Sequence, residues 1–190
     1  MEKVSVIIPV YNAGKTIRQT VDSIKAQTYE NWEIVIVNDG STDDSLEICR
    51  SLEDEKIRVF DKPNGGVVSA YKMGIQKANG TLVSFCDADD LYKPEYLENA
   101  VKIIGKHGCD FVSFGCTLSE ENDSRLEVNA TREGFYGKSR IESEILTHCL
   151  FNGFIPGKYY MILVYRWNKV YKRELIDRFV DQLDEKCFQV

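Results

Sequence analysis

Short β-branched runs alternate with segments of helical period through the first half of the chain. Val4–Ile8, Glu33–Asn38, Ile57–Phe60, Thr81–Cys86 and Asp110–Gly115 read as strands. Between the first two, Ala13 to Gln27 places Ile17, Val21 and Ile24 at i, i+4 and i+7, which predicts a helix with one apolar face. Ser41-Thr42-Asp43-Asp44 carries the S-x-x-D pattern of a capped helix start, and Leu46, Ile48 and Leu52 give that helix an inward side. Gly65-Gly66 opens a third helix towards Asn79-Gly80. Pro94 suits the first turn of a fourth, which stops at Lys106-His107-Gly108. Stacked βα units of this kind predict an α/β fold with a mostly parallel central sheet flanked by helices.

After Gly115 the regularity fades. Ser119 to Thr131 is polar and acidic and reads as an exposed loop, Ser139 to Leu150 as a helix, and Tyr159 to Tyr171 as strand. With 190 residues, 43% of them hydrophobic and 28% charged, the chain reads as one domain over residues 1–190. Residues 1–115 form its regular half and 116–190 a variable part.

A formal charge of -6 and a pI near 5.1 exclude a protein that works by neutralising nucleic-acid phosphates. The six cysteines are scattered without CxxC spacing, so a reduced, cytoplasmic protein is expected. The run SVIIPV is too short for a signal peptide, and the apolar stretch Tyr159 to Tyr165 is far short of the ~20 residues that span a bilayer.

In a doubly wound sheet the ligand sits beyond the carboxyl ends of the strands. Those positions hold Pro9-Val10-Tyr11-Asn12, Asn38-Asp39-Gly40-Ser41, Asn64-Gly65-Gly66 and Asp87-Ala88-Asp89-Asp90, so each supplies a polar group to one rim. The acidic cluster is the sharpest of these, because carboxylates packed this closely raise one another's pKa unless a cation intervenes. Hard oxygen ligands suit Mg²⁺ or Mn²⁺, although the same acids could merely solvate a turn. Asp39 fits either ordinary turn chemistry or acceptance of a base or ribose proton. Tyr11 offers a stacking surface for a planar base, and the glycines after Asn64 let backbone N–H groups come close to a ligand. His107 and His148 lack metal-ligand spacing and read as structural. The signatures of Walker ATPases, dinucleotide enzymes and α/β-hydrolases are absent from the sequence.

Taken in order, SVIIPVYNAGKTI, EIVIVNDGSTDDS, KPNGGVVSA and GTLVSFCDADD resemble the family 2 glycosyltransferases, which have the A-type, Rossmann-like fold. The resemblance covers roughly the first 115 residues and returns at Tyr165 to Ile176, similar to the acceptor-side segment of polysaccharide-synthesis members. It implies that Pro9 and Tyr11 wall a uracil or similar base, and that Asp39 accepts a base N–H. Asn12, Asn64, Lys72 and Asp87 would complete the nucleotide site. Asp89, with Asp87, would bind a Mn²⁺ or Mg²⁺ ion that bridges the diphosphate, and Trp167, Asn168 and Lys169 would lie on the acceptor side.

The implied function is metal-dependent, inverting transfer of a sugar from a nucleotide-diphosphate donor, expected to be a UDP-sugar, to a glycan or lipid-linked acceptor in cell-surface polysaccharide synthesis. A lipid-linked acceptor would bring the chain to the inner face of a membrane as a peripheral protein. Oligomeric state is not legible in the sequence.

Two departures from the family pattern stand out. Tyr71-Lys72 occupies the place of an Arg-Asn pair, leaving Lys72 to replace the cation, and no match to the Glu-Asp pair that commonly supplies the catalytic base precedes Val190. Asp184-Glu185 come early for that role, so a carboxy-terminally truncated enzyme is expected. The alternatives are a sugar-nucleotide-binding fragment without turnover and a nucleotidyltransferase. The latter should carry a Gly-rich basic loop after its first strand, where this chain has Pro9 to Lys15.

Overall fold

A computed structural model describes residues 1–119, 125–128, 134, 137, 168–178 and 180. The chain divides into two compact units: Met1–Val112 with Lys169–Val190, and Ser113–Asn168.

The first unit is built on β1 (Val4–Val10), β2 (Trp32–Asp39), β3 (Ile57–Lys62) and β4 (Leu82–Phe85), all parallel. Every residue of β1, β2 and β4 is buried, as expected of parallel strands covered on both faces, and this is why they read as largely apolar runs. Two further strands, β5 (Phe111–Ser113) and β8 (Lys169–Lys172), complete a six-stranded sheet of order β3-β2-β1-β4-β8-β5. β8 runs antiparallel to β4, with Ser84 opposite Val170.

The helices are α1 (Ile17–Lys25), α2 (Ser45–Ser51), α3 (Val67–Lys77), α4 (Tyr96–His107) and the short α5 (Arg173–Asp177). Ile17, Val21 and Ile24 of α1 are buried as their spacing predicts. Val35 and Val37 of β2, Ile7 of β1 and Phe85 of β4 form one core with Ala70, Tyr71 and Ile75 of α3. α3 lies this close because Gly74 has no side chain. A Cβ there would come within 2.3 Å of Ile7 Cγ2.

Three local expectations are corrected. The capping box at Ser41 does not form: the N-cap of α2 is Asp44, which makes no side-chain cap bond, and Ser41 Oγ instead accepts from Asn12 N at 3.0 Å. Pro94 lies ahead of the Glu95 cap rather than in the first turn of α4. Ser119 to Thr131, expected to be an exposed loop or excursion without regular structure, contains the strand β7 (Arg125–Val128), which pairs antiparallel with β6 (Cys116–Ser119) in the second unit. The two strands are four residues each, too short for alternation to stand out. The register nevertheless pairs like with like, Cys116 with Val128 and Leu118 with Leu126. The segments Ser139 to Leu150 and Tyr159 to Trp167, and residues His148, Asp184 and Glu185, lie outside the described residues.

Among the described residues no helix is long and apolar enough to cross a membrane.

Candidate functional site

The strand order reverses at β1, with β2 on one side and β4 on the other, so the loops after these strands border a topological switch point. Tyr11, the first residue past β1, is 54% exposed. Behind it Asn12 takes a left-handed conformation with φ of 52°. Its Oδ1 accepts from Thr42 N at 2.8 Å and Thr42 Oγ1 at 3.3 Å, while Ala13 N donates to Ser45 Oγ at 2.8 Å and Gly14 N to Asp43 Oδ2 at 3.2 Å. The loop after β1 is thereby clamped to the loop after β2, and the Asn12 amide carbonyl is spent on that clamp.

Asp39 closes β2 and is only 3% exposed. The β2–β3 register sets it opposite Lys62, whose Nζ donates to Asp39 Oδ1 at 2.5 Å. The backbone N–H of Gly65 donates to the same oxygen at 3.0 Å. Gly40 follows with φ of +70°, and a Cβ there would stand 2.6 Å from Asn64 N, so glycine is what lets the loops after β2 and β3 touch. Asn64 is exposed and its Oδ1 accepts from Gly66 N at 3.3 Å. Pro9 is buried in β1 opposite Val37, on the strand face that also carries the core residue Ile7.

Lys62 is the residue the sequence reading passed over. Ending β3 at Phe60 left Lys62 outside the strand, whereas β3 continues to Lys62 and pairs through to Asp39. The signal available was a lysine just before Asn64-Gly65. Lys72, expected to supply the cation, lies half-buried on α3.

Past β4, Asp87 and Asp90 are half-buried and Asp89 is exposed. The turn is held from both sides of the sheet. Thr20 Oγ1 of α1 donates to Ala88 O at 2.9 Å, and the Tyr71 hydroxyl of α3 donates to Asp87 Oδ1 at 2.7 Å. Burial, then the charges of Asp87 and Asp89, push the Asp90 carboxyl up to about 6. Among the described residues no lysine or arginine pairs with any of these acids. No group of three or more metal-ligating side chains converges there either, so a complete protein cage is absent among the described residues. The turn does fit an ion that takes one or two carboxylates and fills its shell with water and phosphate oxygens. Asp87 Oδ2 and the exposed Asp89 are the groups that would hold it.

Of the acceptor-side candidates, Trp167 lies outside the described residues. Asn168, buried in the second unit, donates from Nδ2 to Phe114 O at 2.7 Å. Lys169, buried in the first unit, opens β8 beside β4, and its carbonyl accepts from Ser84 Oγ at 3.0 Å.

A mostly parallel sheet with flanking helices, and a strand-end rim of one aromatic, one buried acid and an acidic turn at its switch point, define an A-type, Rossmann-like fold. The solved structures that align with the chain share this fold. Staphylococcus aureus TarS 1–349 in complex with UDP aligns over 99% of this chain and 52% of its own, with a TM-score of 0.70 and 21% identity. The Pyrobaculum calidifontis mannosyltransferase PcManGT, in complex with GDP-Man and Mn2+, aligns over 94% and 46%, with a TM-score of 0.64 and 22% identity. In sequence, the glycosyltransferase GlyA of Streptococcus pneumoniae is 31% identical over 179 residues, which is 93% of this chain and 25% of GlyA. The chain spans half or less of the length of the curated relatives it matches. The profile of Glycosyl transferase family 2 matches residues 5–177, and the chain belongs to that family.

Proposed function

We propose that this chain is the donor-binding part of an inverting, metal-dependent glycosyltransferase. It would move a sugar from a nucleotide-diphosphate donor, a UDP-sugar first among them, to a glycan or lipid-linked acceptor in cell-surface polysaccharide synthesis. The observation that carries this reading is the gathering of Tyr11, Asp39, Asp87 and Asp89 on one rim of one unit, from the ends of three strands of the same sheet, β1, β2 and β4. Similar folds hold UDP in TarS and GDP-Man with Mn2+ in PcManGT, which supports the same ligand class here.

In this reading Tyr11 and Pro9 flank the base and Asp39 accepts its N–H. Asp87 and Asp89 would hold a divalent ion beside the diphosphate. When bound, that ion neutralises the departing nucleotide as the sugar–phosphate bond breaks. The residues of the chain do the rest. Tyr71 and Thr20 fix the acid turn so that its carboxylates need no reorganisation, and the clamp at Asn12 holds the stacking ring in place. An acceptor hydroxyl attacks the anomeric carbon from the face opposite the diphosphate, a carboxylate base takes its proton and the nucleotide diphosphate leaves, which inverts the configuration. A lipid-linked acceptor would place the chain peripherally at the cytoplasmic face of a membrane.

Thermal denaturation with UDP and Mn²⁺, Mg²⁺ or chelator tests the reading. Ligand at ~100 times its Kd stabilises by roughly 2.7 kcal/mol, enough for a clear midpoint shift. The expected result is a UDP shift that needs metal and is lost in Asp89→Ala. No shift with any nucleoside diphosphate, or a shift undiminished in that variant, rejects the metal-bridged donor site.

A further inference from the structure

We infer that Lys62 is a specificity residue of the base site: beside the ring N–H that Asp39 accepts, its ammonium donates to the neighbouring carbonyl, which favours uracil or guanine over cytosine and adenine. The inference rests on the nucleotide-diphosphate reading above and narrows it.

The geometry of the pair carries the argument. Both hydrogen bonds to Asp39 fall on Oδ1, one from Lys62 Nζ and one from Gly65 N. Oδ2 accepts none among the described residues. It is also not one of the buried polar atoms left without a partner, so it reaches the rim. The Lys62 ammonium has three protons to donate. One goes to Asp39 and one to Pro63 O at 2.7 Å, which leaves the third without a partner among the described residues. Lys62 is held tightly enough to read an edge, since its side chain is only 12% exposed and Asp39's 5%. An acceptor and a donor are thus fixed side by side where adjacent strands β2 and β3 end, with Pro9 of β1 at the same end of the sheet.

Such a pair complements one base edge and opposes another. Uracil N3–H and guanine N1–H can donate to Oδ2 while the neighbouring carbonyl accepts from Nζ. Cytosine and adenine reverse both polarities, setting a ring lone pair against the carboxylate and an amine against the ammonium. The bland alternative is that Lys62 only neutralises a buried acid, in which case it would lend no preference among bases.

Titration calorimetry of the chain with Mn²⁺ and UDP, GDP, CDP or ADP separates the two. UDP or GDP should bind roughly tenfold or more tightly than CDP and ADP, because each mismatched polar contact leaves a desolvated group unpaired. N3-methyl-UDP should lose as much as CDP. Lys62→Met should weaken UDP about tenfold while leaving CDP no weaker, and Lys62→Arg, which keeps a donor, should retain part of the preference. Wild-type protein that binds CDP as tightly as UDP overturns the inference without any variant. A folded Lys62→Met protein that keeps the full UDP-over-CDP ratio overturns the role of Lys62 alone. Binding of none of the four nucleotides overturns the inference together with the donor-site reading.

Discussion

The Tyr71 hydroxyl donates to Asp87 Oδ1 at 2.7 Å, so that a residue of α3 fixes the first acid of the turn after β4. The Tyr71 ring meets Phe85 edge-on with centroids 5.0 Å apart, which separates the packing role of the ring from the positioning role of its hydroxyl. Tyr71→Phe keeps the ring contact and removes the bond to Asp87. The expected outcome is a stability loss of about 1 kcal/mol in denaturant melts. Metal-dependent UDP affinity should fall several-fold, because Asp87 is then free to turn away. Unchanged metal dependence in this variant would count against a positioning role. Tyr71→Ala should cost about 3–5 kcal/mol through the cavity left in the core.

At the opposite end of the sheet, Glu33 is only 3% exposed and is surrounded by donors. Ser5 Oγ reaches it at 2.6 Å, Asn79 N at 2.6 Å, Lys3 Nζ at 2.9 Å and Arg58 Nη2 at 3.2 Å. Burial alone would raise its pKa, but the bonds from Ser5, Asn79 and Lys3 outweigh it and lower the value from 4.5 to about 2. A carboxylate whose pKa is depressed by folding contributes stability that is present above its unfolded pKa and lost as pH falls through the folded one. Stability should therefore drop by up to about 3 kcal/mol as the pH falls from 4.5 to 2. Glu33→Gln should be less stable at neutral pH and show a flatter acid limb. Denaturant melts across this range that leave the two proteins parallel would contradict the assignment.

Gly40 is constrained twice, by its φ of +70° and by Asn64 N, which would lie 2.6 Å from a Cβ. The obstacle is backbone and cannot rotate away. Gly40→Ala should cost about 1–3 kcal/mol and push the loops after β2 and β3 apart. Because Gly65 N bonds Asp39 across that junction, UDP affinity should fall as well. Gly105, whose added Cβ would meet nothing within 4 Å, is the control, and Gly105→Ala should bind UDP like the wild type.

The central strands and α1 are legible in the sequence because burial on both faces of a parallel sheet favours nearly continuous apolar runs, and one-sided packing demands the spacing of Ile17, Val21 and Ile24. The rim followed from the strand ends alone, since ligand-facing loops in such sheets share one edge. Cross-strand chemistry was not legible. Lys62 meets Asp39 only through a β2–β3 register that local patterning does not encode, and its strand was read two residues short. The capping box failed for a related reason. Ser41 has the residue type of a helix start, yet its hydroxyl serves the Asn12 amide 29 positions away, while Asp43 divides its oxygens between Gly14 N and the Ser45 N–H that opens α2. Loop-to-loop bonds of this kind compete with capping and leave no mark in a local pattern.

Tyr11 offers the sharpest separation of binding from stability. At 54% exposed it contributes little to the core, so Tyr11→Ala should change stability by less than about 0.5 kcal/mol. A base stacked on an aromatic ring is worth roughly 1–3 kcal/mol by alanine substitution, so the same variant should lose about tenfold or more in UDP affinity. Tyr11→Phe keeps the ring and should bind as the wild type. Asn12→Ala offers the complementary case, because it leaves the ring in place but removes the bonds to Thr42 that clamp the loop behind it. It should lose both about 1 kcal/mol of stability and part of the UDP affinity. Calorimetry paired with denaturant melts on these variants checks the pattern. If Tyr11→Ala binds UDP unchanged, the base does not stack on this ring.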